Sequence, residues 1–397
     1  MFRDIFYLIL IVSAVFISGH CLSYEPVLDA GVKIQAGGLD LDVGTYAIPV
    51  VYDWNNDGKK DLIIGQRGSG KVRVYTNLGT DAEPVFSSDE NYVQYYDPVA
   101  EDYVDISVDG SGCQGAAPEV VDWNNDGMKD LLVGDGLGKT VLFINQNEVS
   151  DETPDLLEEG FIQVGGVDYT VDYRAVPCFY DWNADGKKDL LIGRGDGEIS
   201  VLINVNIDDD PVFDNDDRVY ADFQILDTWG RTAPRVFDWN GDGYDDVIVG
   251  EYYGNILYYQ NIRVPSDPGT EPILADGVFL RTGGVQIDIG SRSRTFVVDW
   301  KNDGLPDILC GSSDGCVYYY EQDFIFEFEG ISYDPSTGTT LVWRSREGDT
   351  YTVYYSTDMV VWNVLESSVE SDGYTTTYTD IGSIGESNRN YKIGLAE

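Results

Sequence analysis

Histidine is almost missing from this chain. Of 397 residues a single one is histidine, and His20 falls in a stretch that reads as a leader. A mature chain without imidazole has no Ser-His-Asp or Cys-His nucleophile system and no His-based zinc or copper site. Positive charge is also scarce. Lys and Arg total 25 against 70 Asp and Glu, a net charge of -45. Nucleic acid and anionic membrane surfaces would be repelled, and cations attracted. Methionine occurs 3 times. No long apolar run follows the N-terminus, so no membrane insertion is expected. What is abundant is 44 Gly, 28 Tyr and 8 Trp, the residues of turns and strands. An aromatic content of 13% argues against disorder.

Residues 1–23 carry Arg3, an apolar run from Ile5 to Ile17 and then SGHCLS. The run is too short to span a bilayer comfortably, and the pattern predicts a signal peptide cleaved after Ser23. A secreted or cell-surface protein is expected; the alternative is a lipoprotein acylated at Cys21. Export leaves Cys113, Cys178, Cys310 and Cys316, an even number that allows disulfides. Cys310 and Cys316 flank GSSDG and could bridge across that turn, with Cys113–Cys178 as a second pair. The other reading is buried free thiols.

One motif occurs five times. DWNNDGKKDLIIG starts at Asp53, DWNNDGMKDLLVG at Asp122, DWNADGKKDLLIG at Asp181, DWNGDGYDDVIVG at Asp238 and DWKNDGLPDILCG at Asp299. Each follows a short apolar run and closes on Gly, then a turn and a further apolar run. A fourth segment opens upstream on Pro26, Pro84, Pro154, Pro211 or Pro272. Each unit therefore reads as four short strands without helical periodicity. Such a sheet cannot bury both faces alone, so the units must pack on one another. Radial packing predicts an all-β fold, a five-bladed β-propeller closed by pairing of segment 26–45 with the strands of 292–322. A linear solenoid is the alternative and would expose an edge at each end.

In DxNxDGxxD, side-chain oxygens fall at positions 1, 3, 5 and 9, and Gly at 6 permits the sharp bend. Hard oxygen donors with several carboxylates suit calcium better than magnesium. An EF-hand would need Glu at position 12, which here is Ile64, Val133, Ile192, Val249 or Cys310. Loop, strand and turn recurring together resemble the FG-GAP or VCBS-type repeat of integrin-like β-propellers over roughly residues 26–322, within a propeller domain expected over 24–322.

The resemblance implies calcium in the loop between the first two strands of each blade. It also implies ligands residue by residue: Asp53, Asn55, Asp57 and Asp61; Asp122, Asn124, Asp126 and Asp130; Asp181, Asn183, Asp185 and Asp189; Asp238, Asn240, Asp242 and Asp246. The carbonyls of Lys59, Met128, Lys187 and Tyr244 would complete these four sites. The fifth loop departs from the pattern. Lys301 at position 3 cannot ligate calcium while charged, and its ammonium could bridge Asp299, Asp303 and Asp307 instead. Four calcium ions in a structural role are expected, with a doubtful fifth; metal-free Asx turns are the alternative. Propellers of this family commonly have seven or eight blades, so five implies a small ring or one completed by another chain.

Five Trp hold motif position 2: Trp54, Trp123, Trp182, Trp239 and Trp300. Recurrence in every unit favours packing between blades over a ring of sugar-stacking platforms. Trp229 stands outside the pattern and is a better ligand candidate. The second unit carries an insertion with Tyr92, Tyr95, Tyr96 and Tyr103 among carboxylates, either a contact surface or a longer solvated hairpin. Tyr252 and Tyr253 form a further candidate. Residues 323–397 lack the motif and read as a small β-sandwich resembling fibronectin type III-like modules. Trp343 and Trp362 are expected in its core, and Tyr391 is placed like a tyrosine-corner residue.

The functional expectation is a non-enzymatic calcium-binding recognition or adhesion protein for an extracellular polysaccharide or protein. The alternative is a carbohydrate-active enzyme, a polysaccharide lyase or glycosidase working without histidine.

Overall fold

The structure is a computed structural model. It describes residues 27–397 apart from 89–90, 111–114, 150–152, 264–270, 324–327, 346–347, 358–360, 374, 385–388 and 396–397. Residues 1–26, with His20 and Cys21, and Cys113 lie outside the described residues, so the expected signal-peptide cleavage, the acylation alternative and the Cys113–Cys178 pair fall there too. The described chain is strand and turn apart from one 3-10 turn at Ile381–Ser383. No described helix is long and apolar enough to cross a membrane.

The larger compact unit covers Pro26–Asn302 and Pro306–Gln322. Each motif places its last five residues in a strand: Asp61–Gly65, Asp130–Gly134, Asp189–Gly193, Asp246–Gly250 and Asp307–Gly311. All five residues of each are buried, as a short apolar run covered on both faces requires. An inner strand precedes each one: Ile48–Tyr52, Ala117–Val121, Val176–Tyr180, Ala233–Phe237 and Arg294–Val298. A third antiparallel strand follows: Val72–Tyr75, Thr140–Asn145, Ile199–Leu202, Ile256–Tyr259 and Val317–Tyr320.

Each inner strand packs beside the next, and the fifth beside the first. The motif's closing glycine makes this approach possible. A Cβ on Gly65 would stand 1.9 Å from the Ala116 carbonyl oxygen, and one on Gly311 would stand 2.1 Å from that of Ala47. The last unit is completed from the start of the chain, with Val32 opposite Tyr319 and Lys33 opposite Tyr318. These pairings make the unit a propeller-like arrangement of repeats.

The Pro-led segments differ from expectation. After Pro84, Pro211 and Pro272 the chain forms only isolated bridges, at Phe86, Phe213 and Leu274. The fourth strands in those sheets come later, at Asn91–Tyr92, Asp217–Arg218 and Val278–Phe279. Two-stranded hairpins not anticipated from sequence lie beyond most outer strands, as in Gln35–Ala36 with Leu39–Asp40. Their two-residue turns have positive φ at both residues, 59° and 79° at Gly37 and Gly38, and even 46° and 61° at Asp222 and Phe223, the sign that type I′ turns require and that suits strand twist. The Pro-led bridges join units in order. Ala36 pairs with Phe86, Tyr95 with Leu156, Val164 with Phe213, Ala221 with Leu274, and Thr282 with Leu28.

Cys178, Cys310 and Cys316 are buried free thiols. The Cys310–Cys316 bridge is therefore not formed. Register is the reason: Tyr318, not Cys316, stands opposite Cys310, and Cys316 Sγ accepts a hydrogen bond from Lys33 Nζ at 3.2 Å.

Within the unit that contains Asp323–Glu397, two three-stranded sheets face each other. One joins Phe328–Asp334, Gly338–Arg344 and Thr375–Asp380; the other joins Asn363–Glu370, Thr350–Ser356 and Asn390–Leu395. Leu341, Trp343, Tyr351, Val353, Tyr391 and Ile393 form the core between them. Trp362 is not in that core: it is half-buried beneath the Lys392 ammonium, 5.3 Å from its ring. Tyr391 donates its hydroxyl to Asp380 Oδ2 at 2.9 Å.

Candidate functional site

The four aspartate loops fold almost identically, because their short polar side chains satisfy the loop's own backbone N–H groups. In the third loop, Asp181 Oδ1 accepts from the Asp185 N–H at 3.0 Å and Oδ2 from Gly186 at 2.8 Å. Asn183 Oδ1 accepts from Asp185 at 2.9 Å, and Asp185 Oδ1 from Lys187 at 3.1 Å. The same four bonds recur in the loops of Asp53, Asp122 and Asp238. Position 6 takes φ of 84° to 86° at Gly58, Gly127, Gly186 and Gly243, where a Cβ would be strained.

Position 9 is different. Asp61, Asp130, Asp189 and Asp246 are fully buried. Each accepts from the N–H of its loop tryptophan and from an N–H at the end of the third strand, as Asp130 does from Trp123 at 2.7 Å and Asn145 at 2.8 Å. Burial pushes Asp130 and Asp189 up to about 6 and Asp246 to about 7, and the other carboxylates of each loop add to it. These loops thus hold negative charge at a cost that a cation would relieve. The donor set is all hard oxygen, which fits calcium. Among the described residues no three acidic or cysteine side chains stand as a preformed metal cage; the carboxylates are turned onto backbone donors.

In the fifth loop Asp307 keeps the position-9 role, accepting from Trp300 at 3.1 Å and Gln322 at 2.8 Å. Lys301 Nζ lies on the Glu321 carboxylate.

A lysine at motif position 8, which sequence reasoning passed over, ties neighbouring loops together. Lys129 Nζ donates to the Asp53 carbonyl and to Asn56 Oδ1 of the preceding loop, and Lys60 does the same to Asp299 and Asn302. Lys188 reaches Asn125 Oδ1. In the fourth unit the residue is Asp245, and Tyr180 donates to it at 2.5 Å. The signal was present as a recurring Lys, but its partner lies some 60 to 240 positions away.

Of the motif tryptophans, Trp54, Trp182, Trp239 and Trp300 are buried. Trp123 is half-buried, edge-on to Phe179 with ring centroids 5.4 Å apart. They pack between units and offer no open platform. The insertion forms a hairpin, Gln94–Asp97 with Asp102–Asp105, that adds to the outer strand Leu156–Phe161. Tyr92 lies under Lys71 at 4.4 Å, Tyr95 packs on Phe143 at 5.2 Å, Tyr96 meets Tyr103 at 5.7 Å, and Tyr103 donates to Asp155 at 2.7 Å.

Trp229, Tyr252 and Tyr253 come together elsewhere, at the end of the inner strands opposite the aspartate loops. Trp229 is 81% exposed with φ 62°, and its N–H is held by Asp227 Oδ1 at 2.6 Å. The next residue, Gly230, accepts from the Tyr252 N–H at 3.1 Å. Tyr252 and Tyr253 stand edge to face with centroids 5.1 Å apart.

Residues 53–133 match an FG-GAP-like repeat model. That stretch holds the first two motifs, and the other three lie beyond it. Among curated proteins none matches the sequence. Solved structures give distant likenesses. A GH43_1 enzyme from Xanthomonas citri complexed with xylose aligns at 9% identity over 77% of this chain and 91% of its own, TM-score 0.41. An Agrocybe aegerita lectin recognising non-reducing terminal N-acetylglucosamine aligns at 16% identity over 91% and 87%, TM-score 0.37. The Photorhabdus luminescens Tc holotoxin pore aligns at 12% identity and TM-score 0.35; 84% of this chain spans 16% of that one. With TM-scores this low, none of them carries an argument about this chain.

Proposed function

We propose that the protein is a secreted, calcium-stabilised, five-bladed propeller of the FG-GAP-like class, closed by its N-terminal strand, that recognises an extracellular polysaccharide or protein without transforming it. A fibronectin type III-like module follows the propeller. The ring reading is supported by the return of the last unit's strands to Val32–Lys33 and by the contact of Gly311 with Ala47.

Calcium would sit in the loops of Asp53, Asp122, Asp181 and Asp238, supplying a positive charge that relieves the clustered carboxylates. The residues themselves hold the loop's backbone in its bend. The observation that carries recognition is Trp229: a large apolar ring held out in solvent on a left-handed backbone, beside two further tyrosines. Aromatic area fixed in this way is suited to stacking on a sugar face or on a partner's apolar surface.

The test is depletion of purified protein by a panel of insoluble polysaccharides, with calcium or with chelator, while the supernatant is assayed for released sugar. Calcium-dependent depletion without release is expected. Released oligosaccharide would overturn the non-enzymatic reading and make the protein a lyase or glycosidase.

A further inference from the structure

In a chain with 70 acidic residues and 25 basic ones, five arginines gather at the same end of the inner strands as Trp229. Two residues before the inner strand, the third, fourth and fifth units place Arg174, Arg231 and Arg292, with φ of 65°, 65° and 59°. The first unit has Tyr46 there, at 53°. Left-handed backbone at four equivalent non-glycine positions is costly, and such strain concentrates where a side chain must be aimed.

The side chains interleave. Arg67 lies 4.8 Å over the Tyr46 ring, Arg292 lies 4.5 Å over Tyr46 and 5.6 Å over Tyr252, and Arg231 lies 4.8 Å over Tyr252. Arg294 sits beneath them, 2% exposed, donating to the Arg231 carbonyl at 3.2 Å and to its neighbour Ser293 at 2.6 Å.

No salt bridge is made by Arg231, Arg292 or Arg294 among the described residues. Arg231 Nη1 and Arg292 Nε are buried without a hydrogen-bond partner. The nearby acid, Glu251, spends its oxygens on the N–H groups of Tyr253 and Asn255 at 2.6 and 2.8 Å. Burial, and then the charge of Arg231, push the Arg294 guanidinium down to about 9. Guanidinium groups stacked in a row with unspent donors form an anion cradle.

We infer that this mouth binds the carboxylate of a uronic-acid-bearing polysaccharide, with Arg231 and Arg292 holding the carboxylate and Trp229 and Tyr252 stacking on the adjoining sugar rings. This rests on the reading that the ligand is a polysaccharide. The rest of the surface repels a polyanion, so the mouth is where such a chain would be admitted.

The experiment titrates the calcium-loaded full-length mature protein with soluble polygalacturonate, alginate and hyaluronan, and with the same polymers after carboxyl reduction. At least one polyuronate is expected to bind, weakening with added salt, and its carboxyl-reduced form about tenfold less. Arg231→Gln and Arg292→Gln are expected to weaken it to a similar degree. A readout needing no variant is competition on the unaltered protein: free galacturonate should displace the bound chain and galactose should not. Equal binding of charged and reduced polymers, or equal competition by the two sugars, would overturn the anion site and leave polysaccharide recognition standing. Binding of none of these polymers would overturn both.

Discussion

Glu119 and Arg235 meet between inner strands of alternate units, with Oε2 and Nη2 3.3 Å apart. Each is the third residue of its strand, as are Val50, Cys178 and Phe296. Arg235 also lies 5.2 Å over Phe296 and donates to the Pro177 carbonyl at 3.2 Å. Both charges are nearly buried. Removing one leaves the other unpaired, so Glu119→Ala should cost about 3–5 kcal/mol of stability, read as the shift in a denaturant midpoint at constant m. Glu119→Ala together with Arg235→Met should recover much of it. No recovery would mean the pair is not coupled.

Burial raises the Glu119 carboxyl above its ordinary value, outweighing the charge of Arg235. The folded state therefore binds its proton more tightly than the unfolded chain. This group's contribution is full below the ordinary glutamate range and is lost as pH rises through the raised value. Stability curves of calcium-loaded protein between pH 4 and pH 8 should fall with pH less steeply in Glu119→Gln than in the unaltered chain. Identical slopes would sink the assignment.

Chelation should lower the melting temperature of the propeller. At tenfold calcium excess over Kd each filled loop contributes about 1.4 kcal/mol. Calorimetric titration of chelator-treated protein is expected to count four ions, and Asp185→Ala, in an exposed position of the third loop, should reduce the count by one. A melting point indifferent to calcium would leave the loops as Asx turns.

Lys129 should stabilise the fold and oppose the metal at once. Its ammonium bonds the Asp53 carbonyl and Asn56 of the neighbouring loop. Burial lowers its pKa while Asp53 and Asp61 act to raise it. Lys129→Met should cost about 1.5–3 kcal/mol in chelator, the range for hydrogen bonds to charged groups. The same change should tighten calcium at the first loop, since a positive neighbour is gone. Loss of calcium affinity in this variant would contradict the arrangement.

Trp229 tests recognition without touching stability. At 81% exposure its replacement by alanine should leave the melting temperature unchanged. Retention on whichever polysaccharide binds should fall by more than about tenfold. Unaltered retention would move the contact surface to another face.

Cys178, Cys310 and Cys316 are buried as thiols, with Cys178 pushed up to about 11 and Cys310 to about 12 by burial. A thiol reagent should label them only after unfolding, without prior reduction. If they need reduction first, the thiols are paired.

The repeat, the aspartate loops and the strands that leave them are legible in the amino-acid sequence alone. Those are local matters: Asp53 can reach the N–H of Asp57 and Gly58 within one turn, and DLIIG is apolar wherever it goes. The same holds for Trp343 in the tail's core. What needed the tertiary structure was everything settled between distant residues. Phe86 forms two isolated bridges rather than a strand because its partners, Asn77 and Ala36, come from different segments, and the Gly37-Gly38 hairpin shows in the sequence only as a turn signal. The lysine at position 8 recurs in the sequence, but its acceptor in the preceding loop is set only by the packing of unit on unit. Arg174, Arg231 and Arg292 lie 57 to 118 positions apart, and each stands seven residues before the first aspartate of its motif (Asp181, Asp238 and Asp299), a recurrence visible in the chain without showing that the side chains meet. They meet because these units deliver the residue two before the inner strand to the same end of those strands, and only the packing of inner strand on inner strand brings those ends together.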